Sequence, residues 1–175
     1  MVNVNNEWDR LREVFVGTAE YANNPMKGKD LHSINYAHKN NIDDVYKGYY
    51  PEQVIEETKE DLDVLCQSLK TFFNIKVRRM KPNENSKIFQ TPDWKSDGYY
   101  TFCPRDSVTV IGDTIIESPM TLRSRYFETF GFREQFIEYM KDGARWVSAP
   151  KPRLTDDNYQ RYDLDELTLT NAEPV

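Results

Sequence analysis

The chain has 175 residues, a formal net charge of −6 and a pI near 5.0, and this length is enough for one ordinary domain with its own core. The acidic balance argues against a nucleic-acid ligand, because the phosphates of nucleic acids require a basic protein surface. No apolar run approaches the roughly 20 residues of a membrane span, and the N-terminus lacks the pattern of a signal or transit peptide.

A strand and a long connection are predicted first. Residues 11–17 alternate in polarity and end in glycine, which predicts a buried strand. Residues 18–50 form a polar and aromatic loop insertion, and loops of this length are usually functional or mobile. Both histidines, His32 and His38, lie in this connection. No Cys or acidic residue accompanies them at ligand spacing, so we expect exposed loop histidines rather than a metal pair.

The clearest helix is predicted over Glu52–Phe73. Its apolar residues recur at spacings of three and four and predict one stripe facing the core: Val54, Ile55, Thr58, Leu62, Leu65, Cys66, Leu69, Phe72 and Phe73. Glu60, Asp61 and Asp63 lie largely off this stripe, which favours a solvated face over a metal-binding acid cluster. Cys66 lies on the stripe, so we interpret it as a small core residue.

Strands dominate the middle of the chain. A strand over residues 75–80 is ended by Lys81-Pro82, and a polar loop over residues 83–96 follows it. Residues 107–111 and 114–117 are rich in Val, Ile and Thr and predict two strands. The Gly-Asp pair between them is typical of a tight hairpin turn.

A helix and a last strand complete the predicted elements. Pro119 opens a helical region that spans residues 122–140 and divides into two helices if Gly131 interrupts it. Residues 144–149 predict a strand that ends at prolines. The order of strand, helix and short strand ending in Lys-Pro therefore occurs twice. This α/β pattern allows either an ordinary sandwich or a set of stacked modules.

Asp106 is the residue with the sharpest functional interpretation, at the junction of a loop and a strand in Pro104-Arg105-Asp106. The chain contains no dinucleotide fingerprint, phosphate loop, Cys-x-x-Cys, zinc-protease or nucleophile-elbow motif. From the residues alone, Asp106 serves a ligand, caps the hairpin or pairs with Arg105. Arg123 and Arg125 point to different sides, and we expect at least one to form a structural salt bridge with Glu117 or Glu128.

Several blocks of the sequence resemble the N-terminal part of the arginine-dependent amidinotransferases, the group of glycine and inosamine-phosphate amidinotransferases. The blocks follow that family's order and are Asn6-Glu7-Trp8-Asp9, Glu13–Gly17, Thr91-Pro92-Asp93-Trp94, Pro104-Arg105-Asp106 and Glu117–Glu128. The resemblance implies a pentein, an α/β propeller of five ββαβ modules. It implies that this chain holds the first two modules and the start of a third as a single partial domain over residues 1–175.

The resemblance also implies the chemistry. Family members transfer the amidino group of L-arginine to an amine such as glycine through a covalent amidino-cysteine, with no metal or organic cofactor. Asp106 matches the aspartate that binds the arginine guanidinium, and a carboxylate suits a bidentate pair with that group. The family's nucleophilic cysteine lies further along, so no catalytic residue is expected within this chain. Cys103 is accordingly interpreted as structural rather than as a nucleophile.

The last residues suggest that the resemblance continues beyond this chain. Residues 153–175 match the lead-in to a further module, and Glu173-Pro174-Val175 resembles the segment that precedes the family's catalytic aspartate. The mean hydropathy of −0.78 is low for a self-contained globule. It indicates either large exposed loops or a fragment without the partners that cover it. We therefore expect the chain to be inactive by itself.

Two alternatives remain beside an amidinotransferase. One is a hydrolase of the same superfamily, similar to arginine deiminase, and the other is a non-catalytic domain that binds a ligand or a partner chain. The expected partners are L-arginine, an amine acceptor, the C-terminal half of the same fold and, as an option, a second copy of the chain. Two cysteines without a secretory signal indicate a reducing cytoplasm.

Overall fold

The computed structural model describes residues 2–159. In the first half the elements are strand β1 (Glu13–Val16), strand β2 (Asn23–Asn24), helix α1 (Lys29–Asn35), a 3-10 turn (Ile42–Asp44), strand β3 (Gly48–Tyr49), helix α2 (Glu52–Phe73) and strand β4 (Lys76–Arg79). In the second half they are β5 (Phe89–Gln90), β6 (Lys95–Ser96), the one-turn helix α3 (Pro104–Ser107), β7 (Val108–Ile111), β8 (Thr114–Glu117), 3-10 turns at Arg123–Arg125 and Glu128–Phe132, helix α4 (Arg133–Lys141), β9 (Arg145–Ser148) and a 3-10 turn at Asp156–Asn158. Within this range no helix is long and apolar enough to cross a membrane.

The predicted repeat is present as two crossover units. In the first, β1 pairs in parallel with β4, and α2 is the connection between them. In the second, β7 pairs antiparallel with β8, β8 pairs in parallel with β9, and α4 lies in the crossover. The second unit is therefore a complete ββαβ arrangement. Gly112 adopts φ +58° in the two-residue turn between β7 and β8, a value that favours glycine there.

The main core lies between the two units. Its buried members are Met80, Ile115, Phe132, Phe136, Tyr139 and Ala144, and Phe15 of β1 packs against them. The Phe15 ring meets the Phe132 ring edge-on, with 5.3 Å between centroids. The units also approach closely at Gly131, where a Cβ would lie 2.5 Å from the carbonyl oxygen of Lys81, just after β4. The two units are thus packed as one body.

Helix α2 has the predicted bounds, but its apolar stripe is divided. Cys66 is buried, and Ile55, Leu62 and Leu69 are partly buried against the rest of the chain. The other apolar residues predicted to face the core are exposed: Val54 44%, Leu65 46%, Phe72 78% and Phe73 63%. The prediction of one buried stripe was therefore wrong for this edge, because the two short strands beneath the helix cover only part of its apolar arc.

The second helical region also differs from its prediction. Residues after Pro119 are irregular up to Leu122, and two 3-10 turns precede α4, so α-helix begins only at Arg133. Phe132 and Gly131 are both buried at the junction, which shows that packing rather than helix periodicity sets this segment. Residues 83–96, predicted as loop, contain the short β5–β6 pair.

The connection over residues 18–50 is ordered by buried polar contacts. The Asn23 side chain donates to the carbonyl of Gly98 at 2.8 Å, and its backbone N–H donates to that of Tyr99 at 2.7 Å. Asp30 is buried and accepts the backbone N–H of Arg123 at 2.9 Å. These bonds dock the connection onto Gly98 and Tyr99, shortly before the segment that carries Asp106, and onto the 3-10 turn that begins at Arg123.

Candidate functional site

The backbone around Asp106 is held from two sides. Before it, the N–H of Thr18 donates to the carbonyl of Thr101 at 3.1 Å. After it, the N–H of Ser118 donates to the carbonyl of Ser107, a residue with no exposed surface. Gly17 passes so close that a Cβ there would lie 2.3 Å from the Cα of Phe102. The segment is therefore fixed to the ends of β1 and β8.

Asp106 lies within the one-turn helix α3 rather than at a loop-to-strand junction, because α3 extends to Ser107 before β7 begins. Its side chain is 46% exposed, and Oδ2 accepts a hydrogen bond from Nη1 of Arg125 at 2.8 Å. Arg105 contacts Glu7 at 3.5 Å instead, with both side chains exposed. Asp106 thus pairs with Arg125, and among residues 2–159 its Oδ1 has no hydrogen-bond donor.

Arg125 connects Asp106 to a second, buried carboxylate. Its Nε and Nη2 donate to the two oxygens of Glu128 at 2.5 and 2.9 Å, which is a bidentate pair. Its guanidinium carbon also lies 5.0 Å from the centroid of the Tyr100 ring, a cation–π distance. Asp106, Arg125 and Glu128 form one charged cluster, called the acid–arginine cluster below.

Burial and charge shape the ionisation of this cluster. Burial works against the charge on Arg125, but the hydrogen bond and the charge of Glu128, followed by the hydrogen bond to Asp106, outweigh it and raise the pKa of Arg125. Burial raises the pKa of Glu128, and the bond to Arg125 opposes that rise. Arg125 therefore stays protonated and stabilises an otherwise costly buried carboxylate.

A cleft of about 440 Å³ borders the cluster. Tyr100, Ser124 and Glu128 line one side of it, and Phe89, Phe127 and Phe130 contribute aromatic surface. The Oγ of Ser124 is buried and has no hydrogen-bond partner among the described residues. The Tyr100 ring, which lines this cleft, stacks on the Phe102 ring with 4.4 Å between centroids.

Comparisons with known proteins give a consistent result. No family model matches the chain. Inosamine-phosphate amidinotransferase 1 of Streptomyces griseus is 44% identical over 176 residues, which is 100% of this chain and 50% of the relative. The mitochondrial glycine amidinotransferase of Danio rerio is 37% identical over 165 residues, covering 94% of this chain and 38% of the relative. The chain is thus similar to amidinotransferases along its full length. It spans about half the length of the curated relatives it matches.

The solved inosamine-phosphate amidinotransferase of Streptomyces griseus superposes with a TM-score of 0.87 at 44% identity, over 90% of this chain and 45% of that one. The expected pentein-like α/β propeller fold of the amidinotransferases is thereby confirmed, and the ordinary sandwich is set aside. The final segment at residues 173–175 lies outside the described residues, so its resemblance to the family pattern remains a prediction.

The Cys103 thiol lacks the surroundings of a nucleophile, and the Cys66 thiol is buried. Burial raises the pKa of the Cys103 thiol, and the negative charge of Asp106 raises it further. A nucleophilic cysteine needs the opposite shift, because the thiolate is the reactive form. Cys66 is buried on α2, with Nη1 of Arg79 at 3.2 Å from its sulfur. Their interpretation as structural residues agrees with these environments.

The other candidates lie away from the acid–arginine cluster or within structural pairs. His32 Nε2 lies 2.9 Å from the carbonyl oxygen of Lys39, and His38 is exposed. Asp63 of the acidic group on α2 accepts from Arg79 at 2.8 Å. In the described part of the chain, no group of three or more His, Cys, Asp and Glu residues is arranged to hold a metal ion.

Sequence reasoning singled out Asp106 but placed it at a loop-to-strand junction and missed its link to Arg125. The prediction that at least one of Arg123 and Arg125 pairs with Glu117 or Glu128 is confirmed, because Arg125 pairs with Glu128. Arg123 instead donates to the carbonyl of Leu154 and to Asp156. The available signal was the position of both arginines in the block that resembles the amidinotransferases, yet spacing alone does not show which arginine turns toward α3.

Proposed function

We propose that this chain supplies the guanidinium-binding part of an enzyme that transfers the amidino group of L-arginine to an amine. The observation that carries the proposal is the half-exposed carboxylate of Asp106, oriented through one oxygen while the other has no donor among residues 2–159. A guanidinium presents paired N–H donors that match such a carboxylate. Support also comes from relatives that are amidinotransferases over the full length of the chain.

The chemistry proposed for the complete enzyme proceeds in two halves. A cysteine thiolate in the remaining half of the fold attacks the guanidino carbon, and the bond from that carbon to the ornithine nitrogen breaks as a histidine supplies a proton. The acceptor amine then attacks the amidino carbon of the covalent adduct and gives one of its protons back to the histidine. The carbon–sulfur bond breaks, the thiolate is restored, and the guanidino product leaves. Asp106 holds the guanidinium so that its carbon faces the thiolate.

The partners follow from this scheme. We propose L-arginine as the amidino donor, a primary amine such as glycine as the acceptor, and the remaining half of the propeller as the structural partner. A second copy of the chain is retained as a further partner. The unpaired thiols of Cys66 and Cys103 support a location in the reducing cytoplasm.

The products of arginine turnover test the proposal. The chain is co-expressed with the remaining half of the Streptomyces griseus relative and supplied with arginine and a panel of amines. We expect ornithine and a new guanidino compound that depends on the amine. Citrulline formed without an amine would indicate a hydrolase similar to arginine deiminase. A stable complex without either product would support the non-catalytic binding domain.

A further inference from the structure

Exposure changes steadily along the acid–arginine cluster. The side chain of Glu128 is 2% exposed, that of Arg125 is 7% exposed, and that of Asp106 is 46% exposed. The three charged side chains therefore extend from the interior to the surface, and Asp106 is the one that a ligand can contact. Its position depends on a guanidinium that is itself fixed by two bonds to Glu128 and by the Tyr100 ring.

The count of charges in the cluster matters for a cationic ligand. One arginine and two carboxylates sum to one net negative charge. If Asp106 and Arg125 stood alone, the pair would be neutral and would attract a guanidinium weakly. Glu128 supplies the second carboxylate in a bidentate pair, so the charge of Asp106 remains available.

We propose that Arg125 is a positioning residue for Asp106 and that Glu128 is the buried counter-ion that keeps Arg125 from cancelling the charge of Asp106. This inference rests on the proposed function, because it assigns roles around the same guanidinium site. Arg125 fixes one carboxylate oxygen, and Glu128 sets the net charge that the arginine guanidinium meets.

A purely structural salt bridge is the competing interpretation. It ties the 3-10 turn at Arg123–Arg125 to α3, and its loss lowers stability without a specific effect on ligand affinity. The two interpretations differ for Glu128→Gln, which keeps the shape of the side chain and removes its charge. The net charge of the cluster then changes from −1 to zero.

The test is a titration of the 175-residue chain with L-arginine, followed by the amide NMR shifts of Cys103 and Asp106. L-citrulline serves as the uncharged ligand control, and the dispersed spectrum of each variant reports whether it is folded. We expect arginine but not citrulline to shift these amides, and Asp106→Asn to abolish the effect. Glu128→Gln should raise the dissociation constant for arginine on the order of tenfold.

Two further variants separate charge from orientation. Arg125→Lys keeps the positive charge but cannot bridge both carboxylates, so arginine affinity should fall even if Glu128→Gln does not fold. Arg125→Gln combined with Glu128→Gln restores the net charge of −1, and should bind arginine more tightly than Glu128→Gln alone but more weakly than the unaltered chain.

The outcomes distinguish this inference from the proposed function. If Asp106→Asn binds arginine normally, or the unaltered chain shows no arginine-dependent shift, the guanidinium site itself is wrong. If Asp106→Asn abolishes binding while folded Glu128→Gln and Arg125→Lys bind as the unaltered chain does, only the roles of Arg125 and Glu128 are overturned.

Discussion

At the scale of single residues, the carboxylate of Glu13 connects the two units. Its Oε1 accepts from the Tyr139 hydroxyl and from Nε of Arg78, each at 2.5 Å, and Lys76 lies 3.2 Å from Oε2. Burial alone would raise the pKa of Glu13, but the bonds from Tyr139, Arg78 and Lys76 lower it below the ordinary value of 4.5. Its ionised form therefore stabilises the contact between β1, β4 and α4.

This lowered pKa predicts a pH-dependent stability. A carboxyl whose pKa is depressed by folding adds stability above its unfolded value, and that stability is lost as the pH falls through the folded value. Glu13→Gln should lower the melting temperature at pH 7, by about 2–4 °C for each kcal/mol lost. The gap between the two proteins should narrow as the pH falls below 4.5. A gap that stays constant down to pH 3, against Glu60→Gln as a control, would contradict this role.

At the same scale, Asp106 could be singled out from the sequence, but neither its place in α3 nor its pairing with Arg125 could be predicted. The partner lies 19 positions away in sequence, on the 3-10 turn at Arg123–Arg125, whose first backbone N–H donates to buried Asp30. Helix periodicity assigned this turn to a helical region, which did not reveal the contact between Arg125 and Asp106. Contacts that depend on irregular backbone need the tertiary structure.

At the scale of elements, α2 shows where the amphipathic pattern is informative and where it is not. The bounds of the helix follow from Pro51 at its start and the left-handed Asn74 at its end, and both are local signals. The part of the apolar face of α2 that is buried depends on the width of the two-stranded sheet formed by β1 and β4. The strands β1 and β4 cover the side of Cys66 and leave the side of Phe72 exposed.

This division predicts unequal costs along the helix. Leu65→Ala should destabilise the chain by less than about 1 kcal/mol, because its side chain is already near half-exposed. Phe136→Ala, at a site only 1% exposed in the main core, should cost about 3–5 kcal/mol. Urea unfolding measures both, with Glu60→Ala expected within roughly 0.5 kcal/mol of the unaltered chain. Equal costs for Leu65 and Phe136 would show that α2 is covered in solution.

The close approach at Gly131 gives a second element-scale prediction. Gly131→Ala places a methyl group 2.5 Å from the carbonyl oxygen of Lys81, so the 3-10 turn must move away from the end of β4. We expect a loss of about 1–3 kcal/mol, the usual cost of overpacking. Gly143→Ala serves as a comparison for backbone strain without a clash. The φ of Gly143 is +95°, which disfavours alanine, but an added Cβ would meet no atom within 4 Å. A Gly131→Ala variant as stable as the unaltered chain would contradict the observed packing.

At the scale of the whole molecule, the order of strands and helices predicts the two crossover units. The choice between a sandwich and a propeller did not follow from periodicity, because both bury one helix face on a small sheet. It came from the resemblance in several short blocks and is supported by the superposition with a solved amidinotransferase. How the units pack through Phe15 and Gly131 was accessible only from the structure.

The catalytic activity of the chain by itself is a second property of the whole molecule. The 175-residue chain alone should show no amidino transfer from arginine to glycine or to other amines, because the pKa of the Cys103 thiol is raised and the Cys66 thiol is buried. Ornithine release from arginine is the assay. Turnover that survives Cys66→Ser and Cys103→Ser would refute the covalent mechanism, whereas turnover lost only in Cys103→Ser would make that thiol the nucleophile.

The central claim is that Asp106 binds the guanidinium of arginine, and Asp106→Asn in the completed enzyme tests it most directly. The change keeps the shape of the side chain but removes its charge, and losing such a charge-assisted pair costs about 2–5 kcal/mol. We expect kcat/KM for arginine to fall at least about tenfold, while Asp93→Asn, which disrupts the Asp93–Arg153 pair, has a much smaller effect. Unchanged arginine kinetics together with a sharply lowered Tm would contradict the claim and leave Asp106 as a structural partner of Arg125.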